Sequence, residues 1–258
     1  MQNKLTNEEY HANRTHISSS GLKLLLQDQN EYHRRYIQGI KSESTTAFDF
    51  GTYVHALILE PETVKDSFAI FTGVRKAGIF YKEFKDANPG KIIISQKEAD
   101  QGAAIMENFN IHPIAKYLIS QGSAETTTFS RINGVNVKTR TDYEVHNAEK
   151  SYIVDIKTTS FPLDKHSLEE TCRKYEYDLS AALYTMIHKQ SKKIANCEFY
   201  FIFINKSNNA IQVAKAGFDM MKQGELKVLK ALGKYKHLKY TGFFDTMTLD
   251  DTIITLGD

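Results

Sequence analysis

The chain has 258 residues, 41% of them hydrophobic and 25% charged, with 33 Lys and Arg against 31 Asp and Glu. That length carries one substantial core, and a net charge of +2 confines any nucleic-acid surface to a local patch. Cys172 and Cys197 are too few for a structural zinc or iron–sulfur site or a disulfide framework. No apolar run approaches the ~20 residues of a membrane span, and Met1–Glu9 lacks the apolar stretch of a signal peptide. The expectation is a soluble intracellular α/β protein with no membrane partner.

In chain order, Ser18-Ser19-Ser20 opens a helix with Leu22, Leu25 and Leu26 on one side, a serine serving as N-cap. A second short helix includes Tyr32, Arg34, Arg35 and Tyr36. Thr45 to Leu59 reads as a helix ending before Pro61. The Lys- and Gly-rich segment 73–90 reads as a mobile loop. Ile92–Ile94 is a short strand, and Ser95 with Glu98 forms a capping box that starts a helix to about Asn108. A short helix follows Pro113. Three strands fill roughly 124–157, the first two joined by Asn133-Gly134, a strong hairpin signal between β-prone runs. One long helix is expected over 166–190. A strand spans Glu198–Asn205, its partner Ala210–Ala216, and a helix Phe218–Tyr235. The tail from His237 is aromatic, then acidic. This order predicts a mixed β-sheet flanked by helices in a single domain.

The chemistry concentrates in Arg140-Thr-Asp142 and Ile153-Val-Asp155-Ile-Lys157-Thr-Thr159. Side chains alternate along a strand, so Asp155 and Lys157 share a face opposite Val154 and Ile156. The hairpin's second arm runs into Asp142, so three consecutive strands bring Asp142 and Asp155 to one sheet edge. Two carboxylates hold a hard cation such as Mg²⁺. A lysine beside them supplies positive charge for a phosphate oxygen or orients an attacking water. An acid–x–lysine triplet alone also fits a solvated strand face.

With these residues in view, the chain resembles the PD-(D/E)XK nuclease superfamily, and within it the phage-type exodeoxyribonuclease VIII (RecE-like) family. The resemblance covers roughly residues 15–235. It rests on Ile17–Leu22, Phe50-Gly51-Thr-Tyr-Val-His55 through Pro61, Glu125, Lys138-Thr-Arg140-Thr-Asp142 and Val154-Asp155-Ile156-Lys157-Thr-Thr159. It implies a restriction-endonuclease-like core (121–236) with a mainly helical N-terminal part (1–120) and a C-terminal tail (237–258). It further implies one or two Mg²⁺ (or Mn²⁺) ions held by Asp142, Asp155, the Ile156 carbonyl and His55. Lys157 would position the water, and Glu125 would act from the first hairpin arm.

His55 also fits a core helix position, and Glu125 an exposed strand acid. Ser18, Ser19 and Ser20 would lie near DNA, where hydroxyls at a helix N-terminus hold phosphate. Arg34, Arg35, Lys138, Arg140, Arg173 and Lys174 are candidate phosphate contacts or plain surface charge. Tyr175, Tyr177 and Tyr184 line a DNA groove or pack in the core. The family glutamine four residues before the helix tyrosine is Ser180 here, ahead of Tyr184, a hydrogen-bond donor of shorter reach for that local contact.

The implied activity is 5′→3′ exonuclease cleavage of linear double-stranded DNA, leaving 3′ tails for recombination. The implied setting is a ring-shaped homo-oligomer, phage-encoded, in the cytoplasm of a bacterial host, beside a single-strand annealing recombinase. An endonuclease, a single-strand nuclease or a non-catalytic DNA-end scaffold are the alternatives.

Overall fold

The computed structural model describes residues 5–40 and 46–242. Its first third is helical: α1 (Asn7–Ala12), α2 (Ser19–Gln27), α3 (Gln29–Tyr32) running into a π-helical turn at His33–Ile37, α4 (Thr46–Leu59) and α5 (Val64–Ser67). A small parallel pair, β1 (Phe68–Phe71) and β2 (Ile92–Ser95), brackets α6 (Ile79–Asp86). The helices α7 (Gln96–Ile111) and α8 (Pro113–Leu118) lead into the main sheet. That sheet holds β3 (Ser123–Ile132), β4 (Val135–His146), β5 (Ser151–Thr159), β6 (Glu198–Asn205) and β7 (Ile211–Lys215) in spatial order 3-4-5-6-7. The crossover from β5 to β6 carries α9 (Lys165–Lys174) and α10 (Tyr177–Lys192), and α11 (Phe218–Thr241) closes the described chain. Because β5 and β6 are parallel while the other pairs are antiparallel, the sheet is mixed, as expected. No helix among the described residues is long and apolar enough to cross a membrane.

Most elements form where local chemistry dictates. Ser18 accepts the Gly21 N–H and starts α2, and Ser95 and Glu98 form the reciprocal capping box of α7. Asn133 and Gly134 both take positive φ (46° and 77°), as a tight hairpin turn requires.

Three expectations are corrected. The segment 73–90 is not all loop, since α6 forms there with Tyr81 and Phe84 packed on the Phe71 ring. The helix expected over 166–190 is two helices, α9 and α10, broken where Glu176 turns left-handed (φ 49°). The break lets Tyr177 stack on Phe201 of β6. The last helix outruns Tyr235 and ends at Gly242 in the left-handed region. Thr45 and the acidic end of the tail lie outside the described residues.

The sheet is buried on both faces. Val154, Ile156, Ile202 and Ile204 pack with Phe50 and Val54 of α4 and Ile105 and Phe109 of α7. Ile153, Phe199, Phe201 and Phe203 pack with Leu168 of α9 and Ala181 of α10. At the hairpin end, Val135 and Val137 meet Leu22 and Leu25 of α2 and Leu183 of α10. Each such side chain contributes about 1.5–3 kcal/mol by leaving water.

The sheet forks at its centre. The β4–β5 ladder runs from His146↔Ser151 to Tyr143↔Val154 and stops there. Beyond it, β5 stays with β6 as far as Thr159↔Asn205. The edge of β4 that the fork opens is taken by Ile17, whose N–H and C=O pair with Asn136 and Lys138. That bridge brings the start of α2 toward the fork.

Candidate active site

Asp142 and Asp155 stand at the crotch of the fork, one step past the last ladder pair. In place of the missing backbone bond, the Asp142 carboxylate (Oδ2) accepts the Ile156 N–H at 2.7 Å. The fork thus frees a carboxylate and fixes its direction with the same contact. From α4, His55 places Nδ1 3.6 Å from the same Asp142 oxygen. Gly51, one turn earlier, makes that approach feasible: a Cβ there would lie 3.3 Å from the Thr158 hydroxyl of β5.

Glu125 sits opposite Asp142 on β3, in a ladder that pairs Ala124↔Tyr143 and Thr126↔Thr141 but skips the residue between. It adopts positive φ (50°), which costs a non-glycine residue about 1 kcal/mol or more. Its carboxylate is held by the Arg140 guanidinium at 2.6 Å. Burial first, and the Asp142 carboxylate second, push the Glu125 carboxyl up to about 7 despite Arg140. The result is a cluster in which one ligand atom each from His55, Glu125 and Asp142 lies within 4.8 Å of the others. Two carboxylates and an imidazole, crowded enough to raise a carboxyl, form a donor set that suits a hard divalent cation.

Asp155 is 3% exposed, and its Oδ2 pairs with Lys157 Nζ at 2.5 Å. The Asp142 carboxylate and His55 of the three-donor cluster act on Asp155 electrostatically. Burial raises the Asp155 carboxyl and outweighs the relief from Lys157. For Lys157, burial works against the charge, but Asp155 and Asp142 outweigh it and hold the ammonium well above its ordinary value. The Ile156 carbonyl accepts from Lys157 Nζ at 3.4 Å. The Tyr177 ring lies 5.4 Å from Lys157 Nζ and 5.3 Å from Lys23 Nζ. Lys23, on α2, is pushed down to about 8 by burial and by Lys157. Lys23 and Glu60, whose charge also raises Glu125, are not among the residues that the sequence motifs mark. A signal existed for Lys23: it follows Ser19 by four residues and so shares its helix face.

The other expected contacts divide. Ser18 is a buried cap, and Ser19 donates to Tyr184 Oη at 3.4 Å, so of the three serines Ser20 alone is exposed. Arg34 and Arg35 both reach the surface but pair with Glu31 at 3.1 and 2.5 Å. Lys138 is corrected from a surface phosphate contact: it is 4% exposed, and its ammonium is taken up by the Tyr10 and Asn13 carbonyls beneath α1. Arg140 faces Glu125 at the site rather than a surface phosphate path. Ser180 is buried on α10, and Tyr184 is largely enclosed, its hydroxyl pushed up to about 12 by burial.

A forked mixed sheet with an acid at the crotch and an acid–x–lysine strand is the architecture of a PD-(D/E)XK-type core. The family described as a PDDEXK-like domain of unknown function (DUF3799) matches residues 18–247, and the chain belongs to it. Among solved structures, a candidate exonuclease from Eubacterium rectale is similar at 18% identity, with a TM-score of 0.63, over 92% of this chain and 88% of its own. At that identity the likeness speaks for the fold. A second structure, SSO0001, shares 15% identity over 81% of this chain and 85% of its own, with a TM-score of 0.30 that carries no argument. No curated protein matches.

Proposed function

We propose that this chain, acting as one nuclease domain, is a divalent-metal-dependent deoxyribonuclease. The observation that carries this reading is the convergence of His55, Glu125 and Asp142 beside the buried Asp155–Lys157 pair at the sheet fork. Within that class we infer an exonuclease of the exodeoxyribonuclease VIII type. It acts 5′→3′ on ends of linear duplex DNA and leaves 3′ tails for an annealing recombinase. It works as a homo-oligomeric ring in the cytoplasm of a bacterial host, encoded by a phage. The family match and the forked fold support the superfamily part of this reading; polarity, assembly and partner rest on the sequence resemblance.

Glu125, Asp142 and His55 would hold Mg²⁺ or Mn²⁺. When bound, such an ion supplies Lewis acidity and lowers the pKa of a bound water. The chain's own residues do the rest. The Ile156 N–H fixes the Asp142 carboxylate, and Arg140 fixes Glu125. The Asp155 and Asp142 carboxylates favour the charged form of Lys157. The ammonium then orients the attacking water and offsets charge developing on the phosphate oxygens. Tyr177 packs over the lysine and limits where it can swing.

The test is digestion of linear duplex DNA, labelled separately at its 5′ and 3′ ends, beside a covalently closed circle, in Mg²⁺ and in EDTA. Early Mg²⁺-dependent release of the 5′ label with the circle intact is expected. Cutting of the circle would make the enzyme an endonuclease, and early 3′ release would reverse the polarity.

A further inference from the structure

Three clefts on this molecule lie in series, each sharing wall residues with the next. The first, about 320 Å³, is lined by Lys23, Arg35, Tyr36, Lys174 and Tyr175. It shares Arg35 and Tyr36 with a second of about 630 Å³, which runs past His16 and Arg14. The second shares Tyr235 with a third of about 660 Å³ between the hairpin tip and the end of α11, where Arg131, Lys236 and Lys239 stand. None is lined by His55, Glu125 or Asp142. Among the described residues, no Asp or Glu lines any of the three, in a chain whose acids nearly equal its bases. The trough begins beside the site, because Lys23 and Lys157 share the Tyr177 ring.

We propose that this trough is a track for single-stranded DNA continuous with the strand held at Lys157. The proposal rests on the nuclease reading for its starting point. Its own support is the composition of the lining. A groove whose lining carries cations and no acid, with Glu31 behind Arg35 and Glu176 beside Gln27 as the neighbouring acids, follows a phosphate backbone. The cations are interleaved with exposed rings and apolar groups: Tyr240 is 94% exposed, and Tyr175, Ile37 and Ile40 also face out. Such groups gain nothing from a duplex, whose base faces are stacked inside. An unpaired strand offers both phosphates to the cations and base faces to the tyrosines, each stack contributing about 1–3 kcal/mol. Arg35 is held at its place on the wall by Glu31.

The experiment measures binding of fluorescein-labelled oligo(dT), and of a blunt duplex, by fluorescence anisotropy in EDTA across a salt series. The variant combines Arg131→Gln, Lys236→Gln and Lys239→Gln, all exposed in the native fold. The control combines Lys85→Gln, Lys97→Gln and Lys116→Gln, exposed lysines on α6, α7 and α8 outside the trough. Thermal unfolding checks that both fold. The trough variant should bind oligo(dT) at least roughly tenfold more weakly, with a salt slope shallower by about 2, from ~0.7 per lost contact. Tyr240→Ala should weaken oligo(dT) and leave the duplex unchanged. Equal losses in variant and control would overturn the track, as would an equal loss for the duplex. Because no hydrolysis occurs in EDTA, a failure of the nuclease assignment would appear separately, as absent cleavage in Mg²⁺.

Discussion

Lys138→Met separates a strut from a phosphate contact. Lys138 Nζ donates to the Tyr10 and Asn13 carbonyls, the second at 2.6 Å, and lies 4.4 Å from the Tyr10 ring centroid. Both carbonyls belong to the end of α1, where a helix has no internal donors to offer. Hydrogen bonds from a charged donor contribute about 1.5–3 kcal/mol each, and a desolvated cation–π contact adds about 1–2. Against this stands the desolvation of the ammonium, which burial and Arg14 push down to about 8. The net expectation is a loss of roughly 2–3 kcal/mol, typical for breaking a buried polar contact. Because α1 reaches the sheet through this lysine, the loss should concentrate at the N-terminus. Hydrogen exchange should show faster exchange over residues 5–17, with the sheet nearly unchanged. The salt slope of DNA binding should stay at the native value. Unchanged exchange, together with a slope shallower by about 0.9, would mean that Lys138 contacts phosphate and that the strut is wrong.

Other outcomes follow from the same geometry. In Gly224→Ala the new Cβ would lie 2.1 Å from the Asp178 carbonyl oxygen, backbone that cannot yield, so α10 and α11 must part. Overpacking of about 3 kcal/mol should lower Tm by roughly 5–10 °C, and a calorimetric scan reads it. At the far end of β4, Glu144 is 4% exposed, 3.4 Å from His188 Nδ1 and 3.2 Å from Lys192. Burial would raise its carboxyl, but His188 and Lys192 outweigh it and hold it below the ordinary value. A carboxyl depressed in the folded state stabilises above its unfolded pKa and loses that contribution as pH falls through the folded one. Glu144→Gln should therefore cost about 3 kcal/mol near neutrality, the lower end for breaking a buried pair. The gap from native should close below about pH 4 in urea titrations; a pH-independent gap would contradict this. Gly51→Ala should leave folding nearly intact but weaken Mn²⁺ affinity, read by calorimetry, as α4 and His55 are pushed off β5.

What the sequence disclosed followed local rules. The hairpin, the capping box of α7 and the succession of strands along the chain were legible because each depends on neighbours in the chain, whereas the parallel pairing of β5 with β6 across α9 and α10 was not. Asp142, Asp155 and Lys157 were legible as a set because strand alternation and the hairpin place them. What could not be read needed tertiary partners. The break at Glu176 follows from Tyr177 finding the aromatic face of β6, and α6 from Phe71 receiving Tyr81 and Phe84. Lys138 looked like surface charge on an alternating strand, and only the return of α1 over that edge buries it. Glu125 could be placed on its strand from sequence, but its left-handed backbone could not. The close pairing of Asp155 with Lys157 needed coordinates.

Metal-dependent phosphodiester hydrolysis by the fork residues is the central proposal. The direct measurement is nucleotide release from linear duplex DNA by the purified protein in Mg²⁺, beside Asp142→Asn and Lys157→Ala proteins whose folding has been verified by circular dichroism. The native protein should release nucleotides in Mg²⁺ and none in EDTA, with each variant reduced by a factor of at least about 10². Native activity that persists in EDTA, or full activity in folded Lys157→Ala protein, would contradict it.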